Sequence, residues 1–292
     1  MIIFGYNLDF VDEPLEDELN ANEELERVEI LEKSNFLLQE LFEVKSNWSN
    51  MTQRDTRYLS RKSFSKQDID SSWALEVKNI VTLIWCAKSK SIYYVKGNEY
   101  SKKLLHFWVI HTFFPLVLEL RNIYHILHVG AVEVEKRVIL FSALSFGGKS
   151  TLTDFFLTKG HKLLSDDTLG VLKDNITYSA VGSYPYHRPY REAEELGYFI
   201  KNFSFGNRDI SGIYVLQKGN ALIEVSIDEL FGIEKFKALY YTSFVNFDFM
   251  KQKRFEFFSD MLKSVRLYKV NIPWDKNRLN EVYDAIVSHS LR

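Results

Sequence analysis

Short apolar runs separated by polar turns mark the middle of the chain as a β-sheet region. Residues 123–127 and 131–134 are two such runs, and residues 137–142 form a third that is almost wholly apolar. Runs of this length are typical of strands, and the third is typical of a strand buried on both faces. The polar pair Glu135 and Lys136 predicts the turn between the second and third strands.

The pattern then changes from strand to helix. Residues 150–158 place Leu152, Phe155 and Phe156 on one helical face. Gly160 follows, and glycine is the usual residue just after a helix end. The order strand, glycine-containing loop and helix is therefore predicted.

Two further strands are predicted after this helix. Residues 162–165 and 168–172 are short apolar runs, and the adjacent carboxylates Asp166 and Asp167 separate them. Residues 173–175 predict a turn. The two aspartates are consequently expected at the end of a strand.

The first 120 residues carry a weaker pattern. Residues 74–85 and 91–95 are β-like, and residues 88–90 predict a turn between them. Residues 100–120 predict one helix, or two helices broken near Pro115. We expect a small α+β domain here. The position of its end near residue 120 is only approximate, because no flexible linker marks it.

Composition and charge exclude several classes of protein. The 292 residues are 46% apolar and 26% charged, which is ordinary for a soluble globular protein. A net charge of −2 provides no basic field for nucleic acid, so no nucleic-acid partner is expected. Cys86 is the single cysteine, which predicts a reducing, cytoplasmic location. The chain start has no basic segment before its apolar run, so no signal peptide is predicted.

Residues 104–118 form the longest stretch without a charged residue. The stretch contains His106, His111 and Pro115 and is shorter than the roughly 18–20 apolar residues that span a bilayer. We expect a helix buried in protein and no stable membrane insertion. A membrane-associated helix is the less favoured alternative.

Two clusters of like charge allow an ordinary and a functional interpretation. Residues 11–30 are acidic, which favours a solvated helix face or loop over a docking surface for a basic partner. Lys251, Lys253 and Arg254 favour a helix with a basic face over a nucleic-acid surface.

The loop at residues 143–150, with the sequence ALSFGGKS, carries the clearest chemistry. A glycine loop between a strand and a helix turns backbone N–H groups toward an anion, and the helix dipole adds partial positive charge. Lys149 would reach the β- and γ-phosphates of a nucleotide, and the Ser150 hydroxyl would bind Mg²⁺. The strict phosphate-loop pattern begins with glycine, whereas Ala143 stands here. The alternative is a glycine turn with an exposed lysine.

Asp166 and Asp167 have two chemical uses beside such a loop. One carboxylate can bind the Mg²⁺ that bridges the phosphates. The other can accept the proton of an attacking hydroxyl. The alternative is a helix cap or turn pair.

Three blocks of sequence together resemble the catalytic domain of HPr kinase/phosphorylase. They are His128, the loop at residues 143–150, and residues 159–167 with the sequence KGHKLLSDD. The resemblance covers about residues 121–220 and extends to the nucleotide core of phosphoenolpyruvate carboxykinase. It implies an α/β fold, with a P-loop kinase domain at residues 121–292 and a small α+β domain at residues 1–120.

The resemblance also implies roles for individual residues. Asp166 would be the general base, Asp167 would lie at the metal, and His128 would assist at the phosphates, although a lone histidine on a strand is more often structural. Arg188 and Arg191 would neutralise the transferring phosphoryl group, and Glu192 would join Ser150 and Asp167 at the metal; the alternative for this segment is a solvent loop. The residues expected to contact the nucleotide are Ser145, Phe146, Gly147, Gly148, Lys149, Ser150 and Thr151.

Two departures from the family pattern bear on activity. Phe146 and Ala143 stand where the family has glycines, and a bulky residue with positive φ costs about 1 kcal/mol or more. A degenerate nucleotide-binding scaffold is therefore an alternative to a kinase. The late glycine and proline loop that serves phosphorylase activity in the family is not found, so dephosphorylation is not expected.

The function expected from these features is a kinase that uses ATP or GTP with Mg²⁺. The resemblance implies a serine acceptor on a peptide or small protein, because HPr kinase-related proteins accompany genes for ribosomally made, modified peptides. A small-metabolite kinase is a further alternative. The resemblance also implies a possible homo-oligomer.

Overall fold

The computed structural model describes residues 1–15, 22–33, 42–64, 71–144, 146–189 and 194–291. Over these residues it has a mixed α/β fold with several sheets and few helices. The chain forms two compact units. Unit 1 comprises the described residues of Met1–Ile123, Arg191–Leu196 and Phe247–Phe249, and unit 2 those of Tyr124–Tyr190, Gly197–Asn246 and Met250–Arg292.

Unit 1 is built on one sheet. Its strand order is β1-β2-β3-β9-β8-β7-β6-β4, with β5 paired to β6, among the residues described. The contacts β2–β3 and β3–β9 are parallel and the other pairings are antiparallel. The strands are β1 (Ile2–Ile3), β2 (Tyr6–Phe10), β3 (Arg27–Glu32), β4 (Val44–Lys45), β5 (Ser49–Met51), β6 (Arg54–Ser60), β7 (Trp73–Val77), β8 (Val81–Cys86) and β9 (Ser91–Lys96).

The β-like run at residues 74–85 is a hairpin. β7 and β8 pair in an antiparallel register from Trp73 opposite Trp85 to Val77 opposite Val81. The chain reverses at Asn79, whose φ of 64° lies in the left-handed region that asparagine tolerates well. The predicted turn at residues 88–90 is confirmed.

The acidic segment is partly a strand. The sequence favoured a helix face or loop at residues 11–30, but β3 begins at Arg27 and pairs with β2 and β9. Val28 and Ile30 are buried, while Glu29 between them lies on the other face. The correction follows from this alternation, which is the period of a strand. Residues 16–21 of the segment lie outside the described residues.

One continuous helical segment crosses unit 1 after β9. It consists of α1 (Lys102–Phe107), a π-helical stretch (Trp108–Phe113) and α2 (Phe114–Leu120). The helix does not break at Pro115, because proline lies in the first turn of α2, where its missing N–H costs little. The π-helical stretch precedes Pro115, and there the Phe114 N–H donates to the Val109 carbonyl oxygen, five residues earlier.

The segment Lys102–Leu120 is long and apolar enough to cross a membrane, but 89% of its most apolar window is buried inside the protein. Leu105, Val109 and Phe113 are fully buried. The expectation of a helix buried in protein is confirmed. Burial of this extent is typical of a core helix.

Residues distant in sequence complete unit 1. Glu194 receives hydrogen bonds from Arg54 Nε and Nη2, at 3.0 and 2.8 Å, and from Trp108 Nε1 at 3.0 Å. Phe247 packs edge-on against Phe64, with ring centroids 5.2 Å apart. Unit 1 is therefore not a continuous stretch of the chain.

Unit 2 contains a second large sheet. Its strand order is β10-β14-β15-β18-β12-β11-β13, and β20 pairs with both β18 and β19, over the described ranges. A separate pair is formed by β16 and β17. The strands are β10 (His125–His128), β11 (Gly130–Val134), β12 (Arg137–Ser142), β13 (Lys162–Ser165), β14 (Thr168–Asp174), β15 (Thr177–Val181), β16 (Tyr186–His187), β17 (Tyr198–Phe199), β18 (Asn207–Lys218), β19 (Ser226–Glu229) and β20 (Leu267–Ile272).

Four helices of unit 2 lie in the described residues. They are α3 (Lys149–Thr158), α4 (Gly232–Tyr240), α5 (Lys251–Ser264) and α6 (Leu279–Ser290). β12, β18 and β20 are parallel neighbours, so the loops that follow their carboxyl ends lie at one edge of the sheet. The loop before α3 and the loop before α6 are two of these.

The predicted order of strand, loop and helix is confirmed in unit 2. β12 occupies residues 137–142, and Phe141 packs against Leu152 and Phe156 of α3 in one buried cluster. Phe155 was expected on the same face but is only partly buried, because it packs on Tyr283 at the rim of the cluster. Gly160 follows the helix with a φ of 90°, as expected of a helix-ending glycine.

Two strand boundaries differ from the sequence prediction. The strand expected at residues 123–127 begins at His125, because its pairing with β14 starts there. The turn expected at residues 173–175 is shorter, because the β14–β15 ladder continues to Asp174 opposite Thr177. Asn175 makes the turn with a φ of 53°.

Candidate functional site

The loop between β12 and α3 is a tight turn that leads directly into a helix start. Ser145 lies outside the described residues, and the rest of the loop leads into α3, which begins at Lys149. Gly148 precedes the helix with a φ of 90°, and no side chain caps the helix start. The first N–H groups of α3 are consequently not used by a capping side chain.

Both loop glycines are required by their surroundings. A Cβ on Gly147 would lie 2.8 Å from the Ala143 Cβ and 2.8 Å from the Leu144 carbonyl oxygen, which is closer than real atoms pack. Gly148 has the left-handed φ that favours glycine. Phe146 shares that conformation, with a φ of 60°, although it has a Cβ, and its side chain is 84% exposed.

A buried carboxylate, Asp167, lies at the start of α3 among three basic side chains. Lys149 Nζ and His128 Nδ1 each lie 3.2 Å from Asp167 Oδ1. Arg188 Nη2 donates to Asp167 Oδ2 at 3.2 Å. The side chains of Lys149, Asp167 and Arg188 are about nine-tenths buried, whereas His128 is 37% exposed. Burial lowers the effective dielectric constant around these charges and strengthens their attraction.

The sheet register explains why these residues meet. In the antiparallel pair β10–β14, His128 lies opposite Thr168, the residue after Asp167. Gly130 at the start of β11 lets α3 come close, since a Cβ there would lie 2.5 Å from Thr153 Oγ1 and 3.3 Å from Lys149 Cγ. The stem of Lys149 therefore passes over a glycine on its way to the carboxylate.

Asp166 has different partners. Its Oδ2 accepts the backbone N–H of Arg188 at 2.9 Å. His187 Nδ1 lies 3.1 Å from Asp166 Oδ1, and His187 Nε2 lies 3.3 Å from Asp154 Oδ1 on α3. Both contacts are close enough for an ion pair, but neither has the angles of a hydrogen bond. Because His187 is 2% exposed, it is a buried imidazole held between two carboxylates.

The two aspartates are thus distinguished by their surroundings. Asp167 is balanced by fixed cations, which favours the charged carboxylate. Asp166 is held by a backbone N–H and lies beside the buried imidazole of His187. Tyr184 is buried nearby, and burial raises its pKa well above the usual value, partly opposed by Arg188. Its phenol is therefore neutral at physiological pH.

The structure brings together five of the residues expected at a kinase site, namely His128, Lys149, Asp166, Asp167 and Arg188. Ser150 and Thr151 lie in the first turn of α3, beside Lys149. Phe146 points its side chain to solvent. Ser145, Arg191 and Glu192 lie outside the described residues, so their expected roles remain predictions.

Within the described ranges, no group of three His, Cys, Asp or Glu side chains could hold a metal by itself. This does not conflict with a magnesium nucleotide, since Mg²⁺ typically takes one or two protein ligands together with phosphate oxygens and water. Ser150 and Asp167 provide oxygen ligands of the preferred kind, and their positions flank Lys149. The residues present therefore fit this mode of binding.

Sequence reasoning missed His187 and Asp154. His187 adjoins Arg188 in a segment that was considered, but nothing local distinguishes it from its aromatic neighbours. Asp154 lies on α3 five residues after Lys149. Its position on the helix does not by itself indicate a contact with His187. His187 belongs to the β16–β17 pair, in which it lies opposite Tyr198. This pairing between residues distant in sequence is not visible in the local pattern.

Comparison with known proteins adds one distant likeness. No protein-family model matches the sequence, and no curated protein matches it. Among solved structures, the HPr(Ser) kinase/phosphatase from Coxiella burnetii is similar, with a TM-score of 0.36 and 11% identity over 57% of this chain and 96% of that chain. This likeness is too distant to carry an assignment, and the mixed α/β fold rests on the strands and helices described above.

Proposed function

We propose that unit 2 binds ATP or GTP with Mg²⁺ and transfers the γ-phosphoryl group to a hydroxyl. The observation that carries the proposal is the contact between Lys149, at the first turn after a glycine loop, and the buried carboxylate Asp167. A lysine at this position of such a loop is suited to phosphate oxygens. A carboxylate beside it is suited to the metal that accompanies them.

Nucleotide binding would use groups that already face the loop. The N–H groups of the first turn of α3 would donate to the phosphates, and the helix dipole would favour their negative charge. Lys149 would exchange Asp167 for phosphate oxygens, and Arg188 would balance charge on the transferring group. Mg²⁺ bound by Ser150 and Asp167 would supply the remaining charge compensation.

Asp166 is the proposed general base. The acceptor hydroxyl oxygen would attack the γ-phosphorus, and the bond between the γ-phosphorus and the β–γ bridging oxygen would break. The hydroxyl proton would pass to Asp166, and the nucleoside diphosphate would leave. The Arg188 N–H would hold Asp166 in place during this transfer, and His187 would stabilise its charge. From the family resemblance, we propose a serine of a peptide or small protein as the acceptor. From the single cysteine, we propose a cytoplasmic location.

A catalytically degenerate nucleotide-binding protein is a second candidate. Phe146 favours it, because this residue keeps a left-handed backbone that costs about 1–2 kcal/mol for a residue with a Cβ. The strained loop would hold phosphates in a geometry that differs from that of an efficient kinase. Binding without transfer to any acceptor is the outcome that this candidate expects.

The test is calorimetric titration with ATP and with GTP, with and without Mg²⁺. Lys149→Ala is expected to abolish binding. Lys159→Ala is the matched control, because Lys159 lies at the other end of the same helix and contacts Asn280 on the surface. Wild-type protein that binds neither nucleotide would refute the proposal.

If binding is found, phosphoryl transfer follows as a second assay. Serine-containing peptides are screened with radiolabelled nucleotide, and Asp166→Asn is compared with wild type. Loss of transfer with retained nucleotide affinity is expected for a general base. Binding with no transfer to peptides or small metabolites would select the degenerate scaffold.

A further inference from the structure

A cavity of about 120 Å³ lies beside the glycine loop in unit 2. Its wall includes Gly148 and Thr151 from the loop and α3, and Ile272, Trp274 and Asp275 from the segment after β20. The volume corresponds to about four water molecules, at roughly 30 Å³ for each in the liquid. The cavity therefore has room for part of a ligand beside the loop.

The cavity is continuous with the loop. A Cβ on Gly148 would lie 3.4 Å from Trp274 Cζ3, so the tryptophan ring packs directly on the loop backbone. Thr151 follows Lys149 by two residues and also lines the cavity. A ligand whose phosphates contact the start of α3 would therefore have its other end directed toward Trp274.

Trp274 is held in place without being part of the core. It follows the buried Pro273, and Asp275 Oδ1 accepts the Asn277 N–H at 2.9 Å to start the next turn. The Trp274 side chain is nevertheless 42% exposed, and Lys218 Nζ lies 4.1 Å from its ring centroid. An anchored aromatic ring with an accessible surface is suited to stacking.

We propose that this cavity binds the purine base of the nucleoside triphosphate. The inference rests on the proposed function, because the phosphates must first bind the glycine loop. Trp274 stacks on the base, and the apolar wall formed by Ile272 and Val282 excludes water from it. The Asp275 carboxylate has further acceptor capacity for an N–H group of the base.

The experiment compares ATP with inorganic tripolyphosphate, which has the phosphates but neither ribose nor base. Both are titrated calorimetrically with Mg²⁺ into the 292-residue protein. Trp274→Ala is expected to weaken ATP binding at least about fivefold, as removal of an aromatic stacking partner does. Its affinity for tripolyphosphate is expected to stay within twofold of wild type. Trp274→Phe is expected to keep most of the ATP affinity, because a stacking ring remains.

Trp48→Ala is the matched control. Trp48 is 40% exposed and has Arg57 at 4.2 Å from its ring, so it resembles Trp274 in exposure and in its cationic neighbour, but it belongs to unit 1. This variant is expected to bind both ligands as wild type does. The unchanged tripolyphosphate affinity of Trp274→Ala would show that the loop still folds.

The outcomes separate the two proposals. If wild type binds neither ligand, the proposed function fails and this inference fails with it. If wild type binds both ligands and Trp274→Ala leaves the ratio of their affinities unchanged, only the base site is overturned. If Trp274→Ala and Trp48→Ala weakened ATP binding equally, the proposed base site would also be overturned.

Discussion

Replacing Asp167 by asparagine removes the negative charge from a buried cluster of three basic side chains in unit 2 while keeping the side-chain shape. Lys149 Nζ lies 3.2 Å from this carboxylate. Two unit charges at that separation attract by about 5 kcal/mol at an effective dielectric constant of about 20. Breaking a buried pair by removing one partner costs about 3–5 kcal/mol. Because asparagine still accepts a hydrogen bond, we expect a loss of about 3 kcal/mol.

Scanning calorimetry measures this loss. For a unit of about 150–250 residues, 1 kcal/mol shifts Tm by roughly 2–4 °C, so the expected decrease is about 6–12 °C. Lys149→Met in the same protein removes the cation that Asp167→Asn leaves unbalanced. The double variant is therefore expected to be more stable than the sum of the single effects by about 1.5 kcal/mol or more.

Binding provides an independent measure of the same contact. Asp167→Asn no longer holds Lys149, so its affinity for tripolyphosphate without Mg²⁺ is expected to equal or exceed that of wild type. The increase in affinity that Mg²⁺ produces is expected to be lost, because the metal ligand is gone. Additive stability effects within about 0.5 kcal/mol, or a wild-type Tm in Asp167→Asn, would refute the reasoning.

Three further substitutions test other parts of the structure. Gly130→Ala is expected to lower the free energy of unfolding by about 1–3 kcal/mol, since its Cβ would press on Thr153, and to weaken tripolyphosphate binding in calorimetry. Phe146→Gly is expected to raise that free energy by about 0.5–1 kcal/mol in urea unfolding, because relief of the left-handed backbone exceeds the added chain entropy; a decrease would contradict this. For Glu133, burial raises the pKa, but hydrogen bonds from Ser204 and Arg208 outweigh it and the pKa is lowered. The Glu133 carboxylate therefore contributes fully to the free energy of unfolding above the unfolded pKa of about 4.3, and this contribution is lost as pH falls through the folded pKa. Glu133→Gln should flatten the dependence of that free energy on pH between about pH 5 and 3. An unchanged dependence would argue against the ion pair.

Local signals made the centre of unit 2 predictable from the sequence. The strand at residues 137–142 is apolar from Val138 to Phe141, and the helix after it has a glycine at each end. Each of these features depends only on residues that are close to one another in the sequence. The same is true of the Asp166 and Asp167 pair, whose place at the end of β13 follows from the short apolar run before it.

The remaining parts depend on contacts between distant residues. His187 meets Asp166 because two short strands pair across a loop, and Trp274 meets Gly148 because β18 and β20 are parallel neighbours. The continuity of the helix at Pro115 depends on a π turn that no residue preference announces. The period of β3 was hidden because Arg27 and Glu29, opposite the buried Val28 and Ile30, continue the charged segment before them.

The discontinuity of unit 1 has a consequence for its synthesis on the ribosome. Glu194 and Phe247 contribute to its buried contacts with Trp108 and Phe64. A nascent chain of 123 residues lacks both. Until later segments emerge, Arg54 has Glu99, 3.7 Å away, but not its closer partner Glu194, and the Trp108 indole lacks the Glu194 carboxylate to which it donates. Domains usually fold in the order of their translation. Here the first unit reaches its final form only after most of the second has been made.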